Sequence, residues 1–430
     1  MVRGASRHIY VSPALAAAFC LVGGNMTLAQ AGEPGGFAAG GGATFATARE
    51  LFESDLAPLA REEVGVPIGA FIVATEVDLE ATYDDNVFAD TSGEQDDISY
   101  RVAPQLHAVS DWSVHRLEFE VGGEGKLNQE FSTENKASFY TGLGGLLEVR
   151  DDFHINTYAR YELDQEERGE GESFADFDDP IAYHKFMGGL SLNKRFNRLW
   201  FNVGGAIRRD DYADTSLDST NVDQDFRDGN FYTLTVQSGF DWSPIASFYG
   251  EYSYNIADYR ADRFDSDGQE VLAGIKYELT ELVSLDLAGG YLTESFDAAD
   301  IEDIEEFNYR AKMTWLPTEL LTIGLVGRRY VGVSNFSGSS SNTISSEIAL
   351  KSAYALRDNL VVRAGFAYEQ IDYTSIARND DVWKVLSSAD YDITPNWSLT
   401  AGYEYTQYDS TATGIPYQRN EARVGISARY

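Results

Sequence analysis

The chain has 430 residues, 43% hydrophobic and 13% aromatic, with a formal net charge of −36. That charge excludes recognition of nucleic acid or an anionic membrane surface through a basic patch. The one cysteine, Cys20, falls in the N-terminal leader, so the rest of the chain has neither disulfide nor thiol chemistry.

Arg3 and Arg7 precede a short apolar run at 11–22, and Ala29 follows a small-x-small pattern with Thr27. This predicts a signal peptide over 1–29. Removing Arg3 and Arg7 from −36 leaves −38. Phe19 stands before Cys20 where a lipoprotein site needs a small residue, which argues against lipidation. Residues 30–67 read as a Gly-rich periplasmic tail with weak helical character at 44–63, broken by Pro58. Such a tail is either a simple extension or a small plug or partner-docking segment.

From 68 to 430 the pattern changes to a period of two. In 70–88, Phe71, Val73, Thr75, Val77, Leu79, Ala81 and Tyr83 share one face, and Glu76, Asp78 and Glu80 share the other. Eighteen such segments follow one another: 70–88, 98–110, 116–127, 139–149, 153–163, 184–196, 199–209, 231–242, 247–259, 270–279, 283–295, 306–315, 321–330, 343–354, 360–373, 382–393, 397–408 and 421–430. No apolar run after the leader is long enough for a membrane helix. Alternating strands give the same low mean hydropathy, −0.31, because lipid-facing and water-facing residues cancel. The predicted fold is all-β, a transmembrane antiparallel up-and-down barrel of about 18 strands. Short connections with turn chemistry alternate with longer acidic ones, and an even strand count puts both ends of the barrel on the periplasmic side.

The aromatic residues sort by end. Trp112, Trp200, Trp242, Trp315 and Trp397 fall beside short turns, and Trp112, Trp242, Trp315 and Trp397 are assigned to a periplasmic girdle. Tyr83, Tyr161, Tyr254, Tyr291, Tyr368 and Tyr405 fall near the other rim, and Phe88 closes the first segment. The last strand ends on Tyr430, which fits a C-terminal signal for the outer-membrane assembly machinery.

Charges on the inward parity are the lumen and selectivity candidates: Arg101, Arg116, Glu118, Glu120, Arg160, Glu162, Arg195, Arg208, Arg310, Arg328 and Arg363. Pairing between neighbouring strands is the simpler reading for most of them. The 164–179 loop holds Glu166, Glu167, Glu170, Glu172, Asp176, Asp178 and Asp179, an acidic mouth. Its plain reading is a solvated, repulsive surface; its functional reading is a mouth that gathers cations or binds Ca²⁺ bridged to lipopolysaccharide phosphates. Loops 164–182 and 210–230 are the longest and the constriction candidates.

No catalytic, cofactor or metal residue is assigned. Asp265-Ser266-Asp267-Gly268 fails the EF-hand pattern because Arg263 stands where the first Asp is required. His107, His115, His154 and His184 read as ordinary lumen or interfacial residues.

Gly69-Ala70-Phe71, the run Tyr83-Asp84-Asp85-Asn86-Val87-Phe88, the hairpin Ser110-Asp111-Trp112-Ser113-Val114-His115-Arg116-Leu117, and Phe196-Asn197-Arg198-Leu199 resemble the β-barrel porin 2 family of α-proteobacteria and relatives. The resemblance implies a bacterial outer-membrane location and a porin-like role, with exopolysaccharide export in some members. Expected partners are the lipid bilayer, lipopolysaccharide and the assembly machinery, with periplasmic polysaccharide-export components under the export reading. The function expected first is passive passage of small hydrophilic solutes or saccharides. An exopolysaccharide conduit and a structural or adhesive barrel with a closed lumen are the alternatives.

Overall fold

The computed structural model describes residues 65–169, 177–280, 282–299, 301–334 and 341–430. The predicted signal peptide and most of the predicted tail lie outside these residues, as do Glu170, Glu172 and Asp176.

The chain forms β1 (Val66–Ile68), β2 (Phe71–Asp84), β3 (Asp97–Ser110), β4 (Arg116–Asn128), β5 (Lys136–Arg150), β6 (Phe153–Gln165), β7 (Ala182–Phe196) and β8 (Leu199–Tyr212). A small external hairpin follows, β9 (Thr215–Leu217) and β10 (Thr220–Val222). Then come β11 (Gly229–Ser243), β12 (Ala246–Tyr259), β13 (Ser266–Thr280), β14 (Val283–Phe296), β15 (Ile304–Thr318) and β16 (Leu321–Ser334). The last five are β17 (Ser341–Arg357), β18 (Leu360–Tyr373), β19 (Asn379–Thr394), β20 (Trp397–Ser410) and β21 (Tyr417–Arg429). Leaving out β1, β9 and β10, eighteen long strands pair with their chain neighbours, and β2 pairs with β21 to close the barrel. Each predicted segment lies on one of these strands.

Closure satisfies every edge, which a bilayer core requires because it offers backbone groups no water. Strands of 13–17 residues exceed the length a tilted span needs. Connections at one end are tight: apart from 111–115, each is two residues, and Asn197 takes φ 55° in one of them. Register shifts sit just before six of these turns, for example between Asp241 and Ser243 and between Asp392 and Thr394. An extra residue there raises the local twist and turns the strand into its hairpin. The long connections all lie at the other end.

The first strand differs from its predicted extent. β2 stops at Asp84, because Asn86 organises a loop instead. Asn86 is fully buried; its N–H donates to Asp84 Oδ1 (2.9 Å), and its Nδ2 donates to the Asp90 and Gln418 carbonyls (both 2.9 Å). Ala89 takes φ 57° and Phe88 packs on Phe131 at 5.0 Å, so Phe88 belongs to the loop and not to a strand face.

Residues 66–68, expected at the end of the tail and the start of the barrel, form β1. It folds back through Gly69 (φ 64°) onto Phe71–Val73. Above it on the same edge, Tyr430 exchanges backbone bonds with Thr75 (2.8 and 2.9 Å). The edge of β2 is therefore covered along its length, first by β1, then by the C-terminus.

Candidate functional site

Alternation fixes which side chains enter the lumen. Leu79, Phe119, Phe186, Leu234, Val271, Leu350 and Val424 are exposed on the outside, on strands from β2 to β21. Trp112, Trp242, Trp315 and Trp397 are exposed near the short turns, Trp242 most of all at 67%. Trp200 is different. It shares parity with Asn202 and Arg208 and faces the lumen, where it lies 6.2 Å from Tyr249 with Lys276 Nζ 5.0 Å from its ring. Leu199, Phe201 and Val203 take the outer face, and that alternation is the signal that places Trp200 inside. Trp383 sits outside near the long-loop rim, 4.2 Å from Tyr368.

Every arginine among the lumen candidates is ion-paired. Arg101 meets Glu124 (2.5 Å), Arg116 meets Glu118, and Arg160 meets both Glu120 and Glu162 (2.5 Å each). Arg195 pairs with Asp241, Arg208 with Asp210 (3.2 Å), and Arg310 with Glu251 (3.0 Å). Arg328 pairs with Glu347 (2.6 Å) and Arg363 with Asp390. These pairs join residues on one strand or on near neighbours, so they stiffen the wall as well as line it.

The loop after β6 carries the feature that sequence reading did not reach. Glu166 is buried and paired with Arg227 of the β8–β11 connection (Nη1–Oε2 3.3 Å), so this carboxylate departs from the plain reading of a solvated loop. Arg168 is likewise buried and bonds Glu134 of the β4–β5 connection at two points (2.8 and 3.0 Å). Arg419 Nη1 donates to the Arg168 carbonyl and Tyr417 Oη to that of Gly169, both at 3.3 Å. Arg419 and Tyr417 lie on β21, five strands around the wall from β6. Residues 166–169 are therefore tied to β21 as well as to two other loops, a crossbar over part of the mouth.

Glu167 projects from this crossbar among cations. Lys136 Nζ lies 3.7 Å away and also bonds Asp164 (3.0 Å) and reaches Glu124 (3.8 Å). Desolvation raises the Glu167 carboxyl, but Lys136, Lys126, Arg419 and Lys384 outweigh it and hold it down to about 2. Lys384 stands on β19 and Arg419 on β21, so charges from several strands act on one carboxylate. We call this group of charges around Glu167 the eyelet. Asp178 is held below the usual carboxylate range by the Ser219 N–H (2.9 Å) and the Ser216 hydroxyl (2.8 Å), which tie the far end of the loop to the β9–β10 hairpin. Asp179 is exposed and its carbonyl accepts from Thr215 Oγ1 (3.0 Å). In the β8–β11 connection the carboxylates of Asp214, Asp223 and Asp225 converge to within 4.8 Å of one another, bonded by Asn221 and Arg260. The sequence reading assigned no metal, and it did not see this convergence.

A closed antiparallel barrel with an apolar outside, aromatic residues at its rims and a charged lumen defines an outer-membrane channel-type protein. The chain belongs to the family described as "Putative beta-barrel porin 2", matched over residues 59–430. This is a porin family, not an enzyme family, and it places the chain in the outer membrane. No curated protein matches the chain. Among solved structures, OccK2 (OpdF) of Pseudomonas aeruginosa is similar at 10% identity, covering 84% of this chain and 97% of that one, with a TM-score of 0.47. A BenF-like porin of Pseudomonas fluorescens Pf-5 is similar at 13% identity, covering 83% and 98%, with a TM-score of 0.46. The siderophore receptor PiuA of Acinetobacter baumannii gives 10% identity, 85% and 82% coverage, and a TM-score of 0.49.

Proposed function

We propose that this porin-like barrel passes small hydrophilic solutes or saccharides by diffusion, without catalysis, and that the eyelet at Glu167 sets which charge passes. The observation that carries this reading is the closed barrel with a charged lumen, whose loop after β6 holds Glu167 beside Lys136 (3.7 Å) and within the field of Lys126, Arg419 and Lys384. A carboxylate set among cations in the mouth acts on a permeating ion through low-dielectric walls, where charge counts for more than in open water. The acidic residues outside the ring raise local cation concentration at the mouth.

The reversal potential in a salt gradient tests the eyelet. Lys384→Glu and Lys136→Glu shift it toward cations, and Glu167→Lys shifts it toward anions. Unchanged reversal potentials in all three variants contradict a selective eyelet. Liposome swelling with sugars of increasing size tests cargo: small sugars enter and large oligosaccharides do not. Entry of long polymer instead supports an exopolysaccharide conduit, and no entry of any sugar supports a closed structural barrel.

A further inference from the structure

One arc of the inward wall carries no charge. On β5, β6, β7, β8 and β11, Leu146, Asn156, Ser191, Gly204 and Thr235 stand side by side in one row. Gly144, Tyr158, Gly189, Ala206 and Thr233 form the next row toward the long loops. On the short-turn side three adjacent amides adjoin it, Asn193, Asn202 and Gln237, and Trp200 stands one step lower. Arg116 and Glu118 on β4 bound the arc on one side. On the other, Ser253 and Asn255 of β12 are buried and Glu270 of β13 lies beyond them. The arginines above and below the arc are paired: Arg160 with Glu120 and Glu162, Arg208 with Asp210, and Arg195 with Asp241.

The polar groups of this arc are open to a solute. Asn156, Tyr158, Asn193, Asn202 and Ala206 are half-exposed. Tyr158 lies over Gly189, where a Cβ would be 2.4 Å from its Cε1 and 3.0 Å from its Oη, so the ring lies along the wall. Tyr140, Tyr249 and Tyr330 donate their hydroxyls to Gln105 (3.4 Å), Asp286 (2.6 Å) and Glu369 (2.7 Å). Among the described residues the Tyr158 hydroxyl and the Asn202 amide have no hydrogen-bond partner. Ser191 Oγ accepts from Asn156 Nδ2 and Asn193 Nδ2 (3.3 Å each), which leaves its own hydrogen to donate. Gln237 Nε2 donates to Glu251 (2.7 Å), which leaves its carbonyl to accept.

We propose that this arc is a binding track for a neutral saccharide, with Tyr158 as its stacking platform and Ser191, Asn193, Asn202 and Gln237 as partners for sugar hydroxyls. The proposal rests on the channel reading above and adds a site below the eyelet. Amides both donate and accept, as vicinal sugar hydroxyls do. A tyrosine ring offers an apolar face to the C–H face of a pyranose and a polar tip to its hydroxyls. Gly189, Gly204 and Ala206 leave room for a ring against the wall. From Trp200 to Ala206 the track runs about 20 Å at roughly 3.4 Å per residue, and from β6 to β11 it is about 14 Å wide at roughly 4.8 Å per strand. That holds several sugar units in line. Charge bordered by its own partners gives a simple ion little to bind, whereas neutral hydrogen bonds hold a saccharide and still release it.

The test records single-channel current of the refolded chain with maltotetraose, cellotetraose or mannotetraose added, beside polyethylene glycol of the same mass. At least one tetrasaccharide is expected to interrupt the current in discrete events, and polyethylene glycol is not. Tyr158→Ala is expected to shorten these events about tenfold and Asn202→Ala about threefold. Tyr158→Phe keeps the ring and is expected to hold them within about threefold of the parent. Should Tyr158→Ala fail to fold, Asn202→Ala and Tyr158→Phe carry the comparison. A steady current that no tetrasaccharide interrupts, or events whose length ignores Tyr158 and Asn202, overturns the track and leaves the channel standing. Where the parent gives no current, fluorescence of a variant keeping only Trp200 is titrated with the same sugars in detergent. A saturable change then keeps the track and overturns the channel reading, and no change overturns the track.

Discussion

Arg168 and Glu134 meet through two bonds, Nε to Oε2 at 3.0 Å and Nη2 to Oε1 at 2.8 Å, although they belong to different loops. Both are nearly buried, and Arg168 also lies 5.9 Å from the Phe88 ring. Two charges held this way are expensive to separate one at a time. Removing one partner leaves the other buried and uncompensated, at roughly 3–5 kcal/mol. Glu134→Ala or Arg168→Ala is therefore expected to release the crossbar, not to unfold the barrel, whose ladder does not depend on it. The measurement is limited proteolysis of the refolded protein: cleavage between 166 and 181 appears in both variants and not in the parent. Cleavage equal to the parent's contradicts the latch.

The pH dependence of the eyelet follows from Glu167. Its folded pKa is depressed to about 2, below the unfolded value of about 4.3. A depressed carboxylate contributes stability that is present above the unfolded pKa and lost as pH falls through the folded one. Docking of the crossbar is thus expected to stay constant from pH 8 to about 5 and to weaken between about 4 and 2. Open-channel noise recorded against pH checks this. A transition near neutral pH contradicts it.

Two glycines sit beneath lumenal rings. A Cβ at Gly239 would meet the Trp200 indole at 2.2 Å, and one at Gly274 would meet the Tyr249 ring at 2.3 Å. Gly250 faces outward and has nothing nearer than 3.9 Å. Gly239→Ala and Gly274→Ala are expected to destabilise the barrel by about 1–3 kcal/mol through overpacking. Gly250→Ala is expected to be near neutral. Urea unfolding in detergent, read by heat-modifiable mobility on gels, separates them. Equal midpoints for all three contradict the ring-on-glycine packing.

The tryptophans report which face they occupy. Variants that keep only Trp242 are expected to be quenched by brominated lipid and not by iodide. Variants that keep only Trp200 are expected to show the reverse, because that ring faces the lumen. Quenching of Trp200 by brominated lipid contradicts its placement.

Much of this fold is legible in the sequence because a strand's side-chain period is two and each strand is amphipathic. Val77 and Leu79 against Glu76 and Asp78 already divide lipid from lumen, and the same parity placed Arg101, Arg160 and Arg310 inside. Position beside a turn groups Trp200 with the other tryptophans, and its parity with Asn202 and Arg208 is what separates it from them. The crossbar was not legible. Arg168 finds Glu134 and Glu166 finds Arg227 only after the barrel brings their loops together, and local sequence carries no trace of such a meeting. An acidic loop looks repulsive until its partners are known. Asn86 was read as part of a strand because Val87 and Phe88 continue the apolar count, whereas its amide hydrogen bonds end the strand at Asp84.

The most direct measurement is single-channel conductance of the refolded chain in a planar bilayer, in a salt gradient, beside Glu167→Lys. The expected result is a steady current in the parent and a reversal potential moved toward anions in the variant. Absence of current from the parent contradicts a channel, and a current whose reversal potential ignores Glu167 contradicts the eyelet.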